Sequence, residues 1–250
     1  MSYFQYYDKN IYYSVIGKGI PLMLLHGNTA SSKMFTFLLD LYKNDFQIIL
    51  IDFLGNGLSE RIDKFPENIW IDQGYQIIAL ANHLNIDNIN LLGTSGGAYA
   101  AINAALEAPE RFHKVIADSF DGRTLPSGFA EGLIKEREFA KSDEQSRGFY
   151  EWCQGDDWEE VIDKDTETLI NLGKKNIPLF ISHISDIKIP LLMSASKTDE
   201  MLNNDLESEF HEIAKNNPLI QYKIWEDGHH PLIATKALET AQMVINFIHQ

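Results

Sequence analysis

Residues 88–107 read NINLLGTSGGAYAAINAALE, and this stretch decides the fold. The apolar run 88–92 predicts a strand, and the alanine-rich residues 97–107 predict a helix. Between them lies GTSGG at 93–97, whose glycines indicate a turn too tight for neighbouring side chains. The pattern therefore predicts that Ser95 projects from a sharp strand-to-helix turn, at a helix N-terminus whose N–H groups favour negative charge.

Similar apolar runs recur along the chain, and most are apolar almost throughout, as strands covered on both faces require. They occupy residues 11–16, 22–26, 47–53, 114–119, 190–196 and 220–225. Helix-like stretches separate them, among them 72–84 and the amphipathic C-terminal 235–249. This alternation of strands and helices predicts an α/β fold, with a mostly parallel sheet and helices on both faces.

The alternation breaks once, between Asp121 and Ile184, where strand character is weak. We interpret residues 121–184 as several short helices inserted into a core formed by residues 1–120 and 185–250. The aromatic residues of this segment include Phe129, Phe139, Phe149, Tyr150, Trp152 and Trp158. It is predicted to form a cap, or lid, over the carboxyl ends of the strands. Ordinary helical packing is the alternative.

The composition is that of an ordinary globular protein, with 44% hydrophobic and 23% charged residues in 250. A formal net charge of -15 opposes binding to nucleic acid and to anionic membrane surfaces. A solvated acidic surface is the simplest reason for this charge. The expected partner is therefore a small molecule, and composition leaves the oligomeric state open.

The single cysteine, Cys153, cannot form an internal disulfide, so nothing in the chain requires an oxidising compartment. The opening residues MSYFQYYDKN lack a basic segment followed by an apolar run, and no stretch approaches 18 apolar residues. These features predict neither a signal peptide nor a membrane span. The expected location is cytoplasmic.

A serine hydroxyl is a weak nucleophile near pH 7 and needs a base that is itself oriented by an acid. Asp199 follows the strand predicted at 190–196 by three residues. His229 and His230 follow the strand predicted at 220–225. All three therefore lie at the carboxyl edge of the predicted sheet, in the chain order serine, acid, histidine.

Five motifs in this order resemble the α/β-hydrolase superfamily, and the resemblance covers essentially the whole chain. They are His26-Gly27-Asn28, the stretch DFLGNGLS at 52–59, the turn around Ser95, Asp199 and Gly228-His229-His230-Pro231. The resemblance implies a catalytic triad of Ser95, Asp199 and His230.

It also implies an oxyanion hole formed by the backbone N–H groups of Asn28 and Gly96, and structural roles for His26 and Asp52. Two choices stay open. His229 is the alternative base, although counting back from the start of the final helix favours His230. Asp118 and Asp121, which follow the strand at 114–119, are the alternative acids.

The expected activity is that of a serine hydrolase acting on a carboxylic ester with an apolar group, without a cofactor. Haloperoxidase-like, lysophospholipase, aminopeptidase and carbon-carbon hydrolase activities would use the same triad, and a non-catalytic ligand-binding protein is a further alternative. Haloalkane dehalogenation is disfavoured because it needs aspartate where this chain has Ser95. The sequence carries neither HExxH nor paired cysteines for zinc, nor GxxxxGK[ST] for a nucleotide.

Overall fold

The protein is built around one eight-stranded sheet. The structure is a computed structural model, and it describes residues 2–203 and 205–250. In chain order the strands are β1 (Ser2–Tyr6), β2 (Lys9–Ile16), β3 (Ile20–Leu25), β4 (Phe46–Ile51), β5 (Ile89–Thr94), β6 (Phe112–Asp118), β7 (Leu191–Ser196) and β8 (Ile220–Trp225). Across the sheet the order is β1-β2-β4-β3-β5-β6-β7-β8. Among the described strands, β2 pairs antiparallel with both of its neighbours, β1 and β4, and the six strands β3 to β8 are mutually parallel. The prediction of a mostly parallel sheet is confirmed.

Helices cover both faces of this sheet. In chain order the described helices are α1 (Leu39–Tyr42), α2 (Ile69–Leu84), α3 (Gly96–Glu107), α4 (Phe129–Ser142), α5 (Glu144–Gln154), α6 (Trp158–Lys175), α7 (Leu206–Ala214), α8 (Leu232–Thr235) and α9 (Ala237–His249). Helices α2 and α3 contribute to one core cluster and α9 to the other. No helix in the described part of the chain is both long and apolar enough to cross a bilayer.

The two cores follow from the period of two along each strand. In β3, Met23 and Leu25 belong to one cluster, while Leu22 and Leu24 belong to the other. All four side chains are fully buried, because both faces of a central parallel strand are covered by helices. This explains why the strand appears in the sequence as a continuous apolar run.

Strand β1 is the described strand that the sequence patterns did not indicate. It pairs antiparallel with β2 at the edge of the sheet, and only Phe4 of its five residues is buried. An edge strand of this kind needs no apolar run, so periodicity alone gives no signal. Helix α2 also begins three residues earlier than predicted, at Ile69.

Three helices, α4 to α6, lie between β6 and β7, and we call residues 129–175 the helical insertion. They contain 14, 11 and 18 residues, so they are longer than the short helices expected from the sequence. They pack mainly against one another, and α5 also contacts the 3-10 helix at Ser32–Phe35 that follows β3.

The parallel strands end at a common edge, and this positions the loops that follow them. Leu25 of β3 pairs with Gly93 of β5, so the segments after both strands leave the sheet side by side. The chain passes from β3 outward to β4 and then returns to β5 on the other side of β3. Crevices at such a reversal of strand order are the usual place for ligands in open α/β sheets.

Candidate active site

Ser95 occupies the strained turn between β5 and α3. Its backbone has φ 54° and ψ −125°, a conformation that a residue with a side chain rarely adopts. The glycines on either side are required sterically, since a Cβ on Gly93 would overlap Gly97, and one on Gly97 would overlap the Leu25 carbonyl. The N–H of Ser95 donates to the Asp118 carbonyl of β6 (2.8 Å), and the serine is partly exposed.

The loop after β3 lies directly against this turn. A Cβ on Gly27 would stand 3.0 Å from the Cβ of Ser95, so glycine allows this close approach without displacing the serine. The side-chain carbonyl of Asn28 lies over Gly96, where any Cβ would overlap it. The two residues expected to form the oxyanion hole are therefore brought together.

His26 braces the same loop and is buried. Its Nε2 accepts a hydrogen bond from the N–H of Phe53 (3.0 Å), and its Nδ1 lies 2.8 Å from the Gly27 carbonyl. Burial lowers the pKa of this imidazole, which favours the neutral form. A neutral ring donating from Nδ1 satisfies both contacts, so His26 joins the ends of β3 and β4.

His230 and Asp199 form the buried imidazole-carboxylate pair of the site. Nδ1 of His230 lies 3.1 and 3.0 Å from the two carboxylate oxygens of Asp199. The side chain of His230 is 11% exposed and that of Asp199 is fully buried. Burial lowers the pKa of His230, but the hydrogen bond to Asp199 and its negative charge outweigh this, so the pKa lies above its ordinary value.

Hydrogen bonds from backbone N–H groups hold the loops of His230 and Asp199 close to the turn of Ser95. The N–H of Gly228 donates to the Thr198 hydroxyl (3.0 Å), which joins the loops after β8 and β7. Leu232, two residues beyond His230, donates its N–H to the hydroxyl of Ser119 (2.9 Å). Because Ser119 directly follows the residue whose carbonyl binds Ser95, the histidine loop and the serine turn lie at one rim.

His229 points away from this rim. Its side chain is 77% exposed and its Nδ1 lies 3.2 Å from the exposed carboxylate of Glu200. Of the two adjacent histidines, the structure thus places only His230 against Asp199.

The two alternative acids have other partners. The carboxylate of Asp118 accepts hydrogen bonds from the Thr94 and Ser194 hydroxyls and lies fully buried beneath the rim. Asp121 accepts from the N–H of Asn203 (2.8 Å), in the loop that carries Asp199. Both acids support elements around the site without a hydrogen bond to His230 in the described structure.

Asp52 has a similar supporting position. Its two carboxylate oxygens accept from the N–H groups of Ser32 (2.7 Å) and Leu58 (2.8 Å). It therefore ties the loop after β3 to the stretch 52–59, as the structural interpretation of this residue requires.

The aromatic residues of the helical insertion differ from the expected lining of an apolar site. Phe139, Phe149 and Trp152 are exposed, while Tyr150 and Trp158 pack in a small cluster inside the insertion. An aromatic side chain that does lie beside the serine turn is Trp70, which is buried and stacks on Tyr99 at 4.1 Å between ring centroids. Trp70 lies in the first turn of α2, where no sequence motif marks it.

Sequence patterns also missed Asp165 of α6. Its carboxylate accepts a hydrogen bond from Asn28 Nδ2 (2.6 Å), although the two residues are 137 positions apart. Asp165 interrupts the apolar face formed by Val161, Ile162 and Leu169, and an acid on such a face is the signal that would have indicated it.

Chemically, the site combines one hydroxyl, one imidazole with a raised pKa and one buried carboxylate, a set suited to nucleophilic attack with proton transfer. Within residues 2–203 and 205–250, no three His, Cys, Asp or Glu side chains are grouped as metal ligands would be.

Comparison with known proteins places this geometry in a family. The model of the alpha/beta hydrolase fold matches residues 20–157. The proline iminopeptidase of Clostridium botulinum is 36% identical over 134 residues, which cover 50% of this chain and 43% of that protein. The 2-hydroxymuconate semialdehyde hydrolase of Pseudomonas sp. (strain CF600) is 30% identical over 123 residues, covering 47% and 41%. The alignments thus span less than half of these relatives.

Solved structures extend the likeness to the whole chain. An esterase from Exiguobacterium antarcticum superposes with a TM-score of 0.75 over 100% of this chain and 99% of its own, at 17% identity. At that identity the likeness is one of fold. Since the family model covers more than half of the chain and the sheet carries the strained serine turn, the chain belongs to the alpha/beta hydrolase fold family.

Proposed function

We propose that the chain is a serine hydrolase that cleaves carboxylic esters through an acyl-enzyme on Ser95. One observation carries the proposal: His230 binds both carboxylate oxygens of Asp199 through Nδ1, at the rim where Ser95 stands in a strained turn. With Nδ1 engaged, Nε2 is the nitrogen available to a serine hydroxyl.

In this mechanism Ser95 Oγ attacks the carbonyl carbon of the ester while His230 Nε2 accepts the hydroxyl proton. Asp199 holds the imidazole tautomer and stabilises the imidazolium. The backbone N–H groups of Asn28 and Gly96 stabilise the oxyanion. His230 then gives its proton to the leaving alcohol, and water repeats the sequence on the acyl-enzyme.

We also propose that residues 121–184 act as a cap on a core of residues 1–120 and 185–250, and that the substrate is a small ester with an apolar group. The hydrogen bond from Asn28 to Asp165 of α6 supports a cap beside the serine turn. The preference for an apolar group follows from the sequence interpretation, and the ester panel below measures it.

Hydrolysis of a p-nitrophenyl ester panel by wild type and by Ser95→Ala tests the proposal. Ser95→Ala should lower kcat/KM by about 10⁴-fold or more, because the nucleophile is lost. Ser185→Ala is the matched control, since Ser185 lies exposed in a short 3-10 helix away from the site. Unchanged hydrolysis by purified Ser95→Ala protein would contradict the mechanism, and the panel also measures chain-length preference.

Fluorophosphonate labelling separates the enzyme from a non-catalytic protein of the same fold. The probe should modify Ser95, as mapped by peptide mass spectrometry, and Ser95→Ala should remain unlabelled. An unlabelled wild-type protein would favour the ligand-binding alternative.

A second candidate activity is that of an aminopeptidase, favoured by 36% identity to a protein named proline iminopeptidase. Prolyl p-nitroanilide distinguishes it from an esterase, because amide cleavage requires protonation of a much poorer leaving group. A larger kcat/KM for the prolyl anilide than for any ester of the panel would make peptidase the better assignment.

A further inference from the structure

The side chain of Asn28 joins the core to the helical insertion. Its Nδ2 donates to Asp165 Oδ2 of α6 (2.6 Å), and its Oδ1 accepts from the indole N–H of Trp70 in α2 (2.8 Å). Donor and acceptor ends of the amide are thus both engaged, so reversing the amide would break both hydrogen bonds. The orientation of this side chain is determined by one residue of the core and one of the insertion.

The backbone of Asn28 is confined by its neighbours. Gly27 lies against Ser95, and Thr29 has φ 59° while its hydroxyl donates to the Asn28 carbonyl (2.6 Å). A strained loop of this kind keeps its conformation only where surrounding contacts hold it. The two side-chain hydrogen bonds of Asn28 are such contacts, and its peptide carries an N–H expected in the oxyanion hole.

Burial of the Asp165 carboxylate is unfavourable in free energy. This residue is 2% exposed, and burial raises the pKa of its carboxyl group against the opposing effects of Arg137 and Asn28. The nearest cation is the Arg137 guanidinium, 3.7 Å from Oδ1, and in the described structure Oδ1 has no hydrogen-bond partner. An apolar side chain would pack on this helix face at lower cost. The short bond to Asn28 is what the carboxylate contributes.

We propose that Asp165 is a positioning residue for catalysis, which holds the Asn28 peptide in the orientation that stabilises the oxyanion. This inference rests on the proposed acyl transfer at Ser95. Its consequence is that the helical insertion contributes to the chemical step and does not only control access, because α6 supports one wall of the oxyanion hole.

Four variants test the role: Asp165→Ala, Asp165→Asn, Asn28→Ala and the control Glu167→Gln. Glu167 is exposed on the same helix, so its substitution removes one negative charge without touching Asn28. Deleting an oxyanion donor typically costs about 10²- to 10³-fold in kcat. Asp165→Ala leaves the donor but frees its loop, so we expect kcat to fall by about ten- to a hundred-fold with little change in KM.

Asp165→Asn should recover most of this loss, because the amide oxygen can still accept from Asn28. All rates are normalised to active sites counted by fluorophosphonate labelling, so a merely less stable protein does not imitate the effect. Affinity for a boronic acid, whose tetrahedral adduct occupies the oxyanion hole, should fall by the same factor as kcat/KM.

A double-mutant cycle supplies the decisive comparison. Asn28→Ala keeps its backbone N–H but loses both side-chain bonds, so combining it with Asp165→Ala should add little further loss. Additive losses, or normalised kcat values equal to those of Glu167→Gln, would overturn the inference. If Asp165→Ala does not fold, Asn28→Ala must still show the loss in kcat, and a wild-type value would equally refute the role. Failure of wild type to label or hydrolyse esters would instead refute the proposed function.

Discussion

At the scale of single residues, the raised pKa of His230 sets the expected pH dependence. The base must be neutral to accept the serine proton, so kcat/KM should fall as pH drops through the pKa of His230, which Asp199 holds above about 6.5. Asp199→Asn removes that influence. The acidic limb of the pH profile should move to lower pH, while kcat/KM at pH 8 falls by about 10³- to 10⁴-fold.

The matched control for this profile is Glu207→Gln, which removes an exposed negative charge that pairs with Lys197 at 3.9 Å. It should keep kcat near the wild-type value at pH 8. An acidic limb that does not move in Asp199→Asn would show that His230 is not the titrating base.

A second prediction at this scale concerns the strain at Ser95. With φ 54° the residue occupies a conformation that glycine tolerates and alanine does not. Ser95→Gly should therefore be more stable than Ser95→Ala by about 1 kcal/mol in urea unfolding, although both are inactive.

Ser185 provides the opposite case. In its short 3-10 helix, glycine should be the less stable replacement, because the only effect there is greater freedom of the unfolded chain. Equal stability of Ser95→Gly and Ser95→Ala would mean that the turn is not strained.

At the scale of elements, Asp121 links the end of β6 to the loop that carries Asp199. Its carboxylate accepts from the Asn203 N–H, and burial raises its pKa to about 6. Between pH 4 and 6 the folded state therefore binds more protons at this site than the unfolded state, and the free energy of unfolding falls as pH rises.

Asp121→Asn keeps the acceptor oxygen and cannot ionise. Relative to wild type, this variant should gain about 2 kcal/mol of stability between pH 4.5 and pH 7.5, as measured by paired urea titrations. Asp8→Asn, in the exposed turn between β1 and β2, is the control for the removal of one negative charge. A difference between Asp121→Asn and wild type that is independent of pH would contradict the role of burial.

At the scale of the whole molecule, Arg61 connects the helical insertion to the core. Its guanidinium binds both carboxylate oxygens of Asp157 (2.7 and 2.8 Å) at the start of α6 and donates to the Gly57 carbonyl (2.9 Å). Arg61→Ala should speed amide hydrogen exchange in 144–175 by about ten-fold, which corresponds to about 1.4 kcal/mol, and leave β3 and β5 unchanged.

Arg61→Lys should give an intermediate effect, because an ammonium cannot make the forked contact. Arg147→Ala is the control, since the ion pair that the structure describes for Arg147 lies within α5, with Glu151 at 3.4 Å. If both alanine variants exchange alike, Arg61 does not hold the insertion to the core.

Much of this architecture was predictable because it is local in sequence. The apolar strands, the alanine-rich helix α3 and the glycines around Ser95 each carry a period or a steric need that a short window reveals. Strand β1 was not predicted, since an exposed edge strand requires no such pattern. The aromatics of the insertion were misleading, because aromatic content alone does not say whether a ring faces a site, solvent or a neighbouring helix.

By itself the sequence determined the alternation of strands and helices, the sharp turn at Ser95 and the chain order of serine, acid and histidine. Tertiary structure alone decided that His230 rather than His229 lies against Asp199, that Asp118 and Asp121 support neighbouring loops, and that Asp165 reaches Asn28. The physical reason is that these contacts join residues about 30 to 140 positions apart, and which of two adjacent side chains faces inward depends on how the loops of separate strands pack.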